Sequence, residues 1–312
     1  MKILVLGAGA IGMTFGGYLS RQHEVTLLGR KSHMDAIRRE GIRVSGIWGR
    51  HTFRPARAVT DLRSLGSRRC DFNLILVTVK SYDTSKAAAK LRSVLGPGAL
   101  VLSLQNGLGN IDALHRAVPR SGVLAGRVIT GVEIKGPGSI RITVTANPTA
   151  VGETTCKRIT PRVRSIARMI SRAGIPCIAH RDVVSLLWGK VVYNCALNPL
   201  ASLLGCHYGA LTRHELTRAI MEEVIKEVYK VARRARVDLK PSSADRYMKL
   251  FYDKLVPRTY HHHPSMLHDL KMRRKTEISA MNGKIADLGR GWGIETPVNR
   301  GLCRWIREKE RL

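Results

Sequence analysis

The sequence predicts an α/β protein in which an N-terminal Rossmann-type dinucleotide-binding domain precedes an all-helical C-terminal domain. An apolar run at residues 2–6 leads into a glycine-rich turn and then an amphipathic helical pattern. Further apolar runs at 73–79 and 99–104 alternate with helical patterns, which is typical of parallel strands. The later part of the chain shows helical spacing only. We therefore expect domains at 1–180 and 181–312, joined by a stiff hinge with a cleft.

The other elements follow from the same periodicities. Residues 24–28 predict a second buried strand, and the alternating residues 41–60 predict a strand pair that covers the sheet edge. The rest of the first domain is predicted to contain strands near 123–134, 139–145 and 175–178, and a basic helix near 157–173. The second domain is predicted to contain helices near 213–237, 242–256, 264–290 and 297–310.

The bulk composition is that of a globular protein. With 312 residues and 44% apolar content the chain can bury a sizeable core. It has no run of about 18 apolar residues, and its first apolar run passes directly into glycines, unlike a signal peptide. We expect a cytoplasmic protein with no membrane partner. Six scattered cysteines lack metal-finger spacing and are expected to be reduced thiols, although the sequence alone leaves a disulfide open.

The net charge of +30 is unusually high. Such a field gives salt-sensitive, non-specific attraction to nucleic acid. The charge is nevertheless spread along the chain, and with only 5% aromatic residues there are few platforms on which bases could stack. We therefore expect no specific nucleic-acid partner. The same field would steer an anionic cofactor and an anionic substrate toward the protein.

The glycine-rich turn matches the dinucleotide fingerprint G-x-G-x-x-G in its required context, after a strand and before a helix. Gly7 permits the tight turn, Gly9 lets the backbone approach a pyrophosphate, and Gly12 lets the helix pack closely on the strand. The helix N-terminus offers free N–H groups to the phosphates. The predicted cofactor-binding turn consists of Gly7, Ala8, Gly9, Ala10, Ile11 and Gly12.

Arg30 indicates which dinucleotide binds. An NAD-binding protein places an acidic residue at the end of the second strand, against the ribose hydroxyls. This chain has none there and offers Arg30, whose guanidinium suits a 2′-phosphate. The sequence therefore favours NADP(H), although Arg30 could be one more surface arginine in an arginine-rich chain.

Two polar residues follow directly after the next predicted strands. Lys80 ends the run at 73–79, and Asn106 follows the run at 99–104. Ligands of open α/β sheets gather at the carboxyl ends of strands, so both are candidate contacts on the nicotinamide side. Either could instead be an ordinary loop residue.

A polar row is predicted on the helix around residues 188–199. Lys190, Asn194 and Asn198 follow one another at spacings of four, so their side chains drift only about 80° around one face. The residues between them are apolar, and buried polar groups need partners. A substrate with a carboxylate, a carbonyl and hydroxyls would supply those partners. The alternative is a lysine that reaches solvent and two asparagines that cap neighbouring loops.

Two later stretches add candidates. Ser265 lies near the predicted start of a helix and could bind a carboxylate, or it could be a plain N-terminal serine. Glu277 lies in a predicted apolar-periodic helix and could serve Lys190 as an ionised partner, or pair with a nearby surface arginine. The three histidines from His261 to His263 lack the spacing of helical metal ligands, so no metal site is predicted.

Taken together, these motifs resemble the ketopantoate reductase (2-dehydropantoate 2-reductase) family over essentially the whole chain. The order of the motifs makes the match specific. The features that carry it are residues 7–12, Arg30, Val79 and Lys80, Gln105, Asn106 and Gly107, Gly189 and Lys190, Asn194, Asn198 and Pro199, Pro264 to Leu267, Asp269, and Thr276 to Ile278. One departure is Tyr208, where the family often has a further asparagine.

The resemblance implies a Rossmann domain, a C-terminal domain like that of 6-phosphogluconate dehydrogenase, and a homodimer. It implies that NADPH contacts residues 7–12, Arg30, Lys80, Asn106 and Glu277. It also implies that ketopantoate contacts Asn106, Lys190, Asn194, Asn198 and Ser265, with Lys190 as proton donor and Glu277 beside it. The expected reaction is NADPH-dependent reduction of ketopantoate to pantoate in coenzyme A biosynthesis. The alternatives are a reductase of another branched 2-keto acid and a non-catalytic nucleotide- or nucleic-acid-binding protein.

Overall fold

The computed structural model describes residues 1–65, 72–91 and 94–312, which form two compact units. Unit 1 comprises Met1–Gln105 and Asn110–Val183, and unit 2 comprises Asn106–Gly109 and Val184–Leu312. Within the described residues the cysteines are free thiols, as the sequence predicts, and Cys70 lies outside that part.

Unit 1 alternates strands and helices along the chain. Its elements are β1 (Lys2–Leu6), α1 (Ala10–Leu19), β2 (Glu24–Leu28), α2 (Lys31–Glu40), β3 (Ile42–Gly46), β4 (His51–Phe53), β5 (Arg57–Val59), β6 (Phe72–Val77), α3 (Thr84–Leu91), β7 (Leu95–Ser103), α4 (Asn110–His115), β8 (Val123–Arg127), β9 (Thr130–Gly136), β10 (Ser139–Thr145), β11 (Thr149–Glu153), α5 (Pro161–Arg172) and β12 (Cys177–Ala179).

The main sheet has the strand order β12-β11-β8-β7-β6-β1-β2-β5. All neighbours pair in parallel except β8 and β11, which are antiparallel. The central strands are buried on both faces, which explains their continuous apolar runs. Strand order reverses at β1, so the carboxyl ends of β1 and β6 form the position where such sheets bind their ligands.

The prediction that residues 41–60 form a strand pair covering the edge of the main sheet is wrong about which strands pair there. Only β5 joins the edge of the main sheet, beside β2. The hairpin of β3 and β4 instead belongs to a second sheet, with the order β4-β3-β10-β9. Alternation shows that one face of a strand is buried, but it does not say which partner covers that face.

Unit 2 is helical, as predicted. Its helices are α6 (Val183–Leu204, whose first residue falls in unit 1), α7 (Tyr208–Leu211), α8 (Glu215–Arg234), α9 (Ala244–Leu250), α10 (Val256–Arg258), α11 (Ser265–Lys271), α12 (Asn282–Gly291) and α13 (Pro297–Lys309). A π-helical turn, Phe251–Leu255, joins α9 to α10. The apolar residues of α6 and α8 belong to one core cluster, together with residues of the later helices.

The single helix predicted for residues 264–290 is wrong. Helix α11 ends at Lys271, and Arg273 shortly after it adopts a φ of +49°. A 3₁₀ turn, Ile278–Ala280, then precedes α12. Glu277 therefore precedes a 3₁₀ turn and does not lie inside a helix. Helices often end at a glycine in the left-handed conformation, but here an arginine adopts it. Because no glycine stands at this position and the apolar spacing continues past it, the sequence does not indicate the end of the helix.

Among the described residues, no helix has the length and apolar content needed to cross a membrane.

Candidate active site

The three fingerprint glycines are required for different physical reasons. Gly7 has a φ of +110°, a conformation that side chains disfavour, and an added Cβ would lie 2.7 Å from the Val79 nitrogen. At Gly12 an added Cβ would lie 1.9 Å from the Gly7 carbonyl oxygen, so the helix could not pack on the turn. At Gly9 an added Cβ would meet nothing within 4 Å. Gly7 and Gly12 are thus needed by the fold, whereas the space at Gly9 is open to a ligand.

Thr78, at the end of the neighbouring strand, holds the turn in place. The sequence does not indicate this role. Its hydroxyl lies 2.7 Å from the Gly7 carbonyl oxygen and 3.1 Å from that of Leu6. A threonine after an apolar run resembles any β-branched strand residue, so nothing in the sequence distinguishes it.

The N-terminus of α1 suits a phosphate group. The ten-residue helix starts after Gly9, which has no side chain to cap it, and its first turn carries no acidic residue. The first N–H groups of a helix have no acceptor within it, and the helix dipole adds positive potential there. Together with the open space at Gly9, these features fit the pyrophosphate of a dinucleotide.

Arg30 and Lys80 lie where the sequence predicts, at strand ends of unit 1. Arg30 is exposed between β2 and α2, and within residues 1–65, 72–91 and 94–312 it has no carboxylate partner. The nearest acidic residue along the helix, Asp35, is already paired with Lys31 and Arg38. Lys80 is half-buried at the start of the 3₁₀ turn that follows β6. Arg30 is therefore available to an anionic ligand.

A buried polar network lies beyond the ends of β6 and β7. The Gln105 amide nitrogen donates to the Val79 carbonyl at 2.9 Å and to the Thr84 hydroxyl at 2.7 Å. Thr84 in turn donates to Asn110 Oδ1 at 2.7 Å. Gln105 was part of the family motif, but the sequence assigned it no function. Its bonds fix the chain immediately before Asn106.

In unit 2 the structure brings Lys190 and Asn106 together. Lys190 Nζ donates to Asn106 Oδ1 at 2.6 Å, although 84 positions separate the two residues. The Asn106 loop is held by the Leu108 N–H, which donates to the Ala280 carbonyl at 2.8 Å. Gly107 has a φ of +81°, and a side chain there would clash with Ala280. The half-buried Lys190 ammonium thus has a fixed orientation.

The two asparagines of the predicted row are both buried but differ in their partners. Asn194 is 8% exposed, and within the described residues its side chain makes no hydrogen bond. Asn198 is 4% exposed, and its Oδ1 accepts from the Tyr208 hydroxyl at 2.5 Å. Its Nδ2 contacts Met281 Sδ at 3.6 Å. A buried amide without a partner is costly, so Asn194 is a candidate for ligand binding.

A second buried network supports α6 beside the row. Pro199 lies inside the helix and has no N–H to donate to the Cys195 carbonyl. Asn282 replaces it, since its Nδ2 donates to the Cys195 oxygen at 3.0 Å and to Asn299 Oδ1 at 3.0 Å. Buried Glu227 in turn accepts from Asn299 Nδ2 at 2.7 Å. The sequence reading missed this network because its members lie far apart along the chain.

Glu277 is buried at 6% exposure, on a segment held by Glu310, the residue that directly follows α13. The N–H and hydroxyl of Thr276 both donate to Glu310 Oε1, at 2.7 and 2.6 Å. Burial removes the alternative that Glu277 is an exposed surface glutamate. Ser265 is exposed as the first residue of the seven-residue helix α11, as predicted for a helix start.

The three consecutive histidines are exposed side chains with aromatic neighbours. The His261 and His263 rings lie 5.6 and 6.1 Å from the His207 ring, and His262 lies 5.2 Å from Tyr208. Across the described ranges no group of three or more histidine, cysteine or acidic residues has metal-binding geometry.

The chain matches a family model over most of its length. The model for ketopantoate reductase PanE/ApbA matches residues 3–155, and the model for the C-terminal part of the same protein matches residues 182–310. The chain belongs to the ketopantoate reductase family. This confirms the resemblance and the fold class inferred from the motifs, and it places the chain among the oxidoreductases.

Curated relatives of this ketopantoate reductase family member align along the whole chain. A 2-dehydropantoate 2-reductase from Aquifex aeolicus is 37% identical over 99% of this chain and 97% of its own length. One from Pyrococcus abyssi is 31% identical over 100% of this chain and 99% of its own.

Solved structures show the same fold. A PanE/ApbA family ketopantoate reductase from Ralstonia eutropha superposes with a TM-score of 0.88 at 32% identity, covering 100% of this chain and 99% of its own. A D-mandelate dehydrogenase in complex with NADH and anilino(oxo)acetate superposes with a TM-score of 0.85 at 25% identity and the same coverage.

Proposed function

We propose that this protein reduces 2-dehydropantoate to pantoate with NADPH, and that Lys190 donates the proton. The observation that carries the proposal is the Lys190 ammonium held 2.6 Å from Asn106 Oδ1, on the same helix face as the Asn194 amide, which has no hydrogen-bond partner among the described residues. The substrate is inferred from the names of the relatives, which are 2-dehydropantoate 2-reductases.

The cofactor side of the proposal rests on unit 1. Bound NADPH would supply the hydride that reduces the keto carbon. The turn at residues 7–12 would hold its pyrophosphate at the N-terminus of α1, and Arg30 would bind its 2′-phosphate. Lys80, Asn106 and Glu277 are proposed as further contacts of the cofactor.

The proton side rests on unit 2. As the keto carbon is reduced, negative charge develops on its oxygen and must be neutralised. The Lys190 ammonium can stabilise that charge and transfer a proton to the oxygen. Asn106 orients the ammonium through its Oδ1, and Glu277 is proposed as an ionised partner of Lys190.

The remaining polar groups would orient the substrate. Asn194 can offer both donors and an acceptor to the acid, because no described protein group uses them. Asn198 would contact the same molecule one helical turn further along α6. Ser265, exposed at the start of α11, would bind the carboxylate through its hydroxyl.

A second candidate function is the reduction of another branched 2-keto acid. It is favoured by the similarity to D-mandelate dehydrogenase, whose structure contains NADH and an oxo acid.

The decay of NADPH absorbance after addition of ketopantoate tests the proposal. We expect turnover with ketopantoate and a kcat/KM at least tenfold lower for 2-ketoisovalerate and phenylglyoxylate. A preference for one of those two acids would establish the second candidate. Repeating the assay with NADH tests the cofactor, since equal kcat/KM for both nucleotides would contradict the role of Arg30.

We further propose that the protein acts as a cytoplasmic homodimer in the route to pantothenate and coenzyme A. Size-exclusion chromatography with light-scattering detection measures the mass directly. One chain has a mass of 34.6 kDa, and a homodimer would have twice that mass. Because the net charge is +30, the measurement requires enough salt to suppress non-specific binding of nucleic acid.

A further inference from the structure

Tyr208 makes one contact that the sequence did not indicate. It follows His207 at the start of α7, and its hydroxyl donates to Asn198 Oδ1 at 2.5 Å. Both side chains are buried, at 4% exposure each. Asn198 is therefore held by a tyrosine ten positions further along the chain, whereas Asn194 makes no side-chain hydrogen bond within the part of the chain that the structure describes.

The Tyr208 ring is fixed on several sides. Its backbone N–H donates to the His262 carbonyl at 3.0 Å, and the His262 ring lies 5.2 Å from its own. The Tyr193 ring meets it edge-on at 5.9 Å. Next to it, Gly209 packs so closely on Tyr260 that a side chain there would overlap the ring. The hydroxyl can therefore direct the amide that it contacts.

The protonation state of Tyr208 makes it a permanent donor. Burial raises the pKa of Tyr208 well above its usual range, so the hydroxyl keeps its proton under all ordinary conditions. A phenol that must donate selects the oxygen of the Asn198 amide, because the nitrogen has only hydrogens to offer. With the amide flipped, Nδ2 would face the Tyr208 oxygen and the buried hydroxyl proton would lose the Asn198 acceptor.

The opposite end of the Asn198 amide is poorly satisfied. Among the described residues, the one acceptor for its Nδ2 is the thioether sulfur of Met281 at 3.6 Å, and sulfur of this kind is a weak acceptor. A methionine side chain is flexible enough to yield to a ligand. An oxygen atom with a free lone pair would make a stronger bond to Nδ2 than Met281 does.

We propose that Tyr208 is a positioning residue that sets substrate selectivity: by holding Oδ1 of Asn198, it presents Nδ2 as a donor to a hydroxyl oxygen of the keto acid. Eight residues of α6, about 12 Å, separate Asn198 from Lys190, so this hydroxyl belongs to the end of the acid far from the reacting carbonyl. The inference rests on the proposed function and adds to it a residue, Tyr208, that positions Asn198 for this hydroxyl.

The test compares ketopantoate, which has the distal hydroxyl, with 2-ketoisovalerate, which lacks it. The Tyr208→Phe variant keeps the ring and loses only the donor. We expect its KM for ketopantoate to rise about 3- to 10-fold, the effect of one hydrogen bond, with kcat and the KM for 2-ketoisovalerate changed less than about twofold. An equal rise for both acids would overturn the inference, since that is the signature of a merely structural role.

Tyr193→Phe is the matched control. Tyr193 lies in the same aromatic cluster, but its hydroxyl bonds to Thr259 and not to the polar row. We expect this variant to discriminate between the two acids as the wild-type protein does. If Tyr193→Phe lost the discrimination to the same extent as Tyr208→Phe, the loss would come from disturbed packing of the aromatic cluster and not from the Tyr208 hydroxyl. That result would overturn the inference.

A double-mutant cycle locates the effect on Asn198. In an Asn198→Ala background, Tyr208→Phe should have no further influence on the ratio of the two KM values. An effect that persisted there would show that Tyr208 acts by another route.

Failure of the proposed function is distinguishable from failure of this inference. A wild-type protein that reduces neither acid would contradict the function, and calorimetric titration of each acid into the wild-type and Tyr208→Phe proteins would then decide on Tyr208. A binding preference for the hydroxylated acid that Tyr208→Phe abolishes supports the inference. The absence of such a preference overturns it.

Discussion

The glycine turn of unit 1 and the polar row of α6 in unit 2 are built in different ways. The turn is a backbone site in which neighbouring glycines and the start of α1 define the geometry within six residues. The row is a side-chain site whose orientation comes from Asn106, Tyr208 and Asn282, which are remote along the chain. Local sequence therefore determines the first site almost completely, and it determines only the spacing of the second.

A pair of glycine substitutions gives the largest expected effect and tests the backbone site. In Gly12→Ala the new methyl group would lie 1.9 Å from the Gly7 carbonyl oxygen, so we expect a loss of at least about 3 kcal/mol in the free energy of unfolding. Gly9→Ala meets no atom within 4 Å and should unfold like the wild-type protein, yet bind NADPH more weakly. Urea unfolding and NADPH titration of both variants would measure this.

Equal stability of the two variants would contradict the distinction between a glycine needed by the fold and one needed by the ligand. Normal NADPH affinity in Gly9→Ala would show that the open space there is not used by the cofactor.

Asn282→Ala tests how far the side-chain site depends on remote support. The substitution leaves the Cys195 carbonyl, which Pro199 cannot satisfy, without its donor in a buried environment. We expect about 1–3 kcal/mol of destabilisation together with reduced turnover, because the helix that carries Lys190 would bend at Pro199. Chemical unfolding and kcat measured on the same preparation check this, and unchanged values for both would show that Asn282 does not support α6.

Arg30→Asp should give the smallest effect, because Arg30 is exposed. We expect the Kd for NADPH to rise about tenfold relative to that for NADH, through loss of a charged contact to the 2′-phosphate. Arg39→Asp, on the opposite end of α2 and equally exposed, is the charge-matched control and should affect both nucleotides alike. A parallel loss of NADPH and NADH binding in Arg30→Asp would contradict the phosphate contact.

The same contrast explains what could be predicted from the sequence. The strands β1 and β6 lie within two residues of the predicted runs at 2–6 and 73–79, because an apolar run is a local signal. The partners of β3 and β4, the break at Arg273 and the strand β11 were missed, since each depends on contacts that no nearby residue indicates. The spacing of Lys190, Asn194 and Asn198 predicts that they share one face of α6, and all three are buried or half-buried there.

The partners within the row could not be predicted in the same way. Nothing around Tyr208 indicated that its hydroxyl would reach Asn198, and nothing around Pro199 indicated that Asn282 would replace its missing N–H. Such bonds form between side chains that the fold brings together from distant positions. Spacing identifies candidate residues, but it does not reveal their partners.

The turnover of Lys190→Ala with ketopantoate, measured beside its NADPH affinity, tests the central claim most directly. Loss of a general acid typically costs 10²- to 10⁴-fold, so we expect kcat to fall by about that factor while the Kd for NADPH stays within about twofold. A Lys190→Ala protein that turns over ketopantoate at the wild-type rate would contradict the claim that this ammonium protonates the substrate.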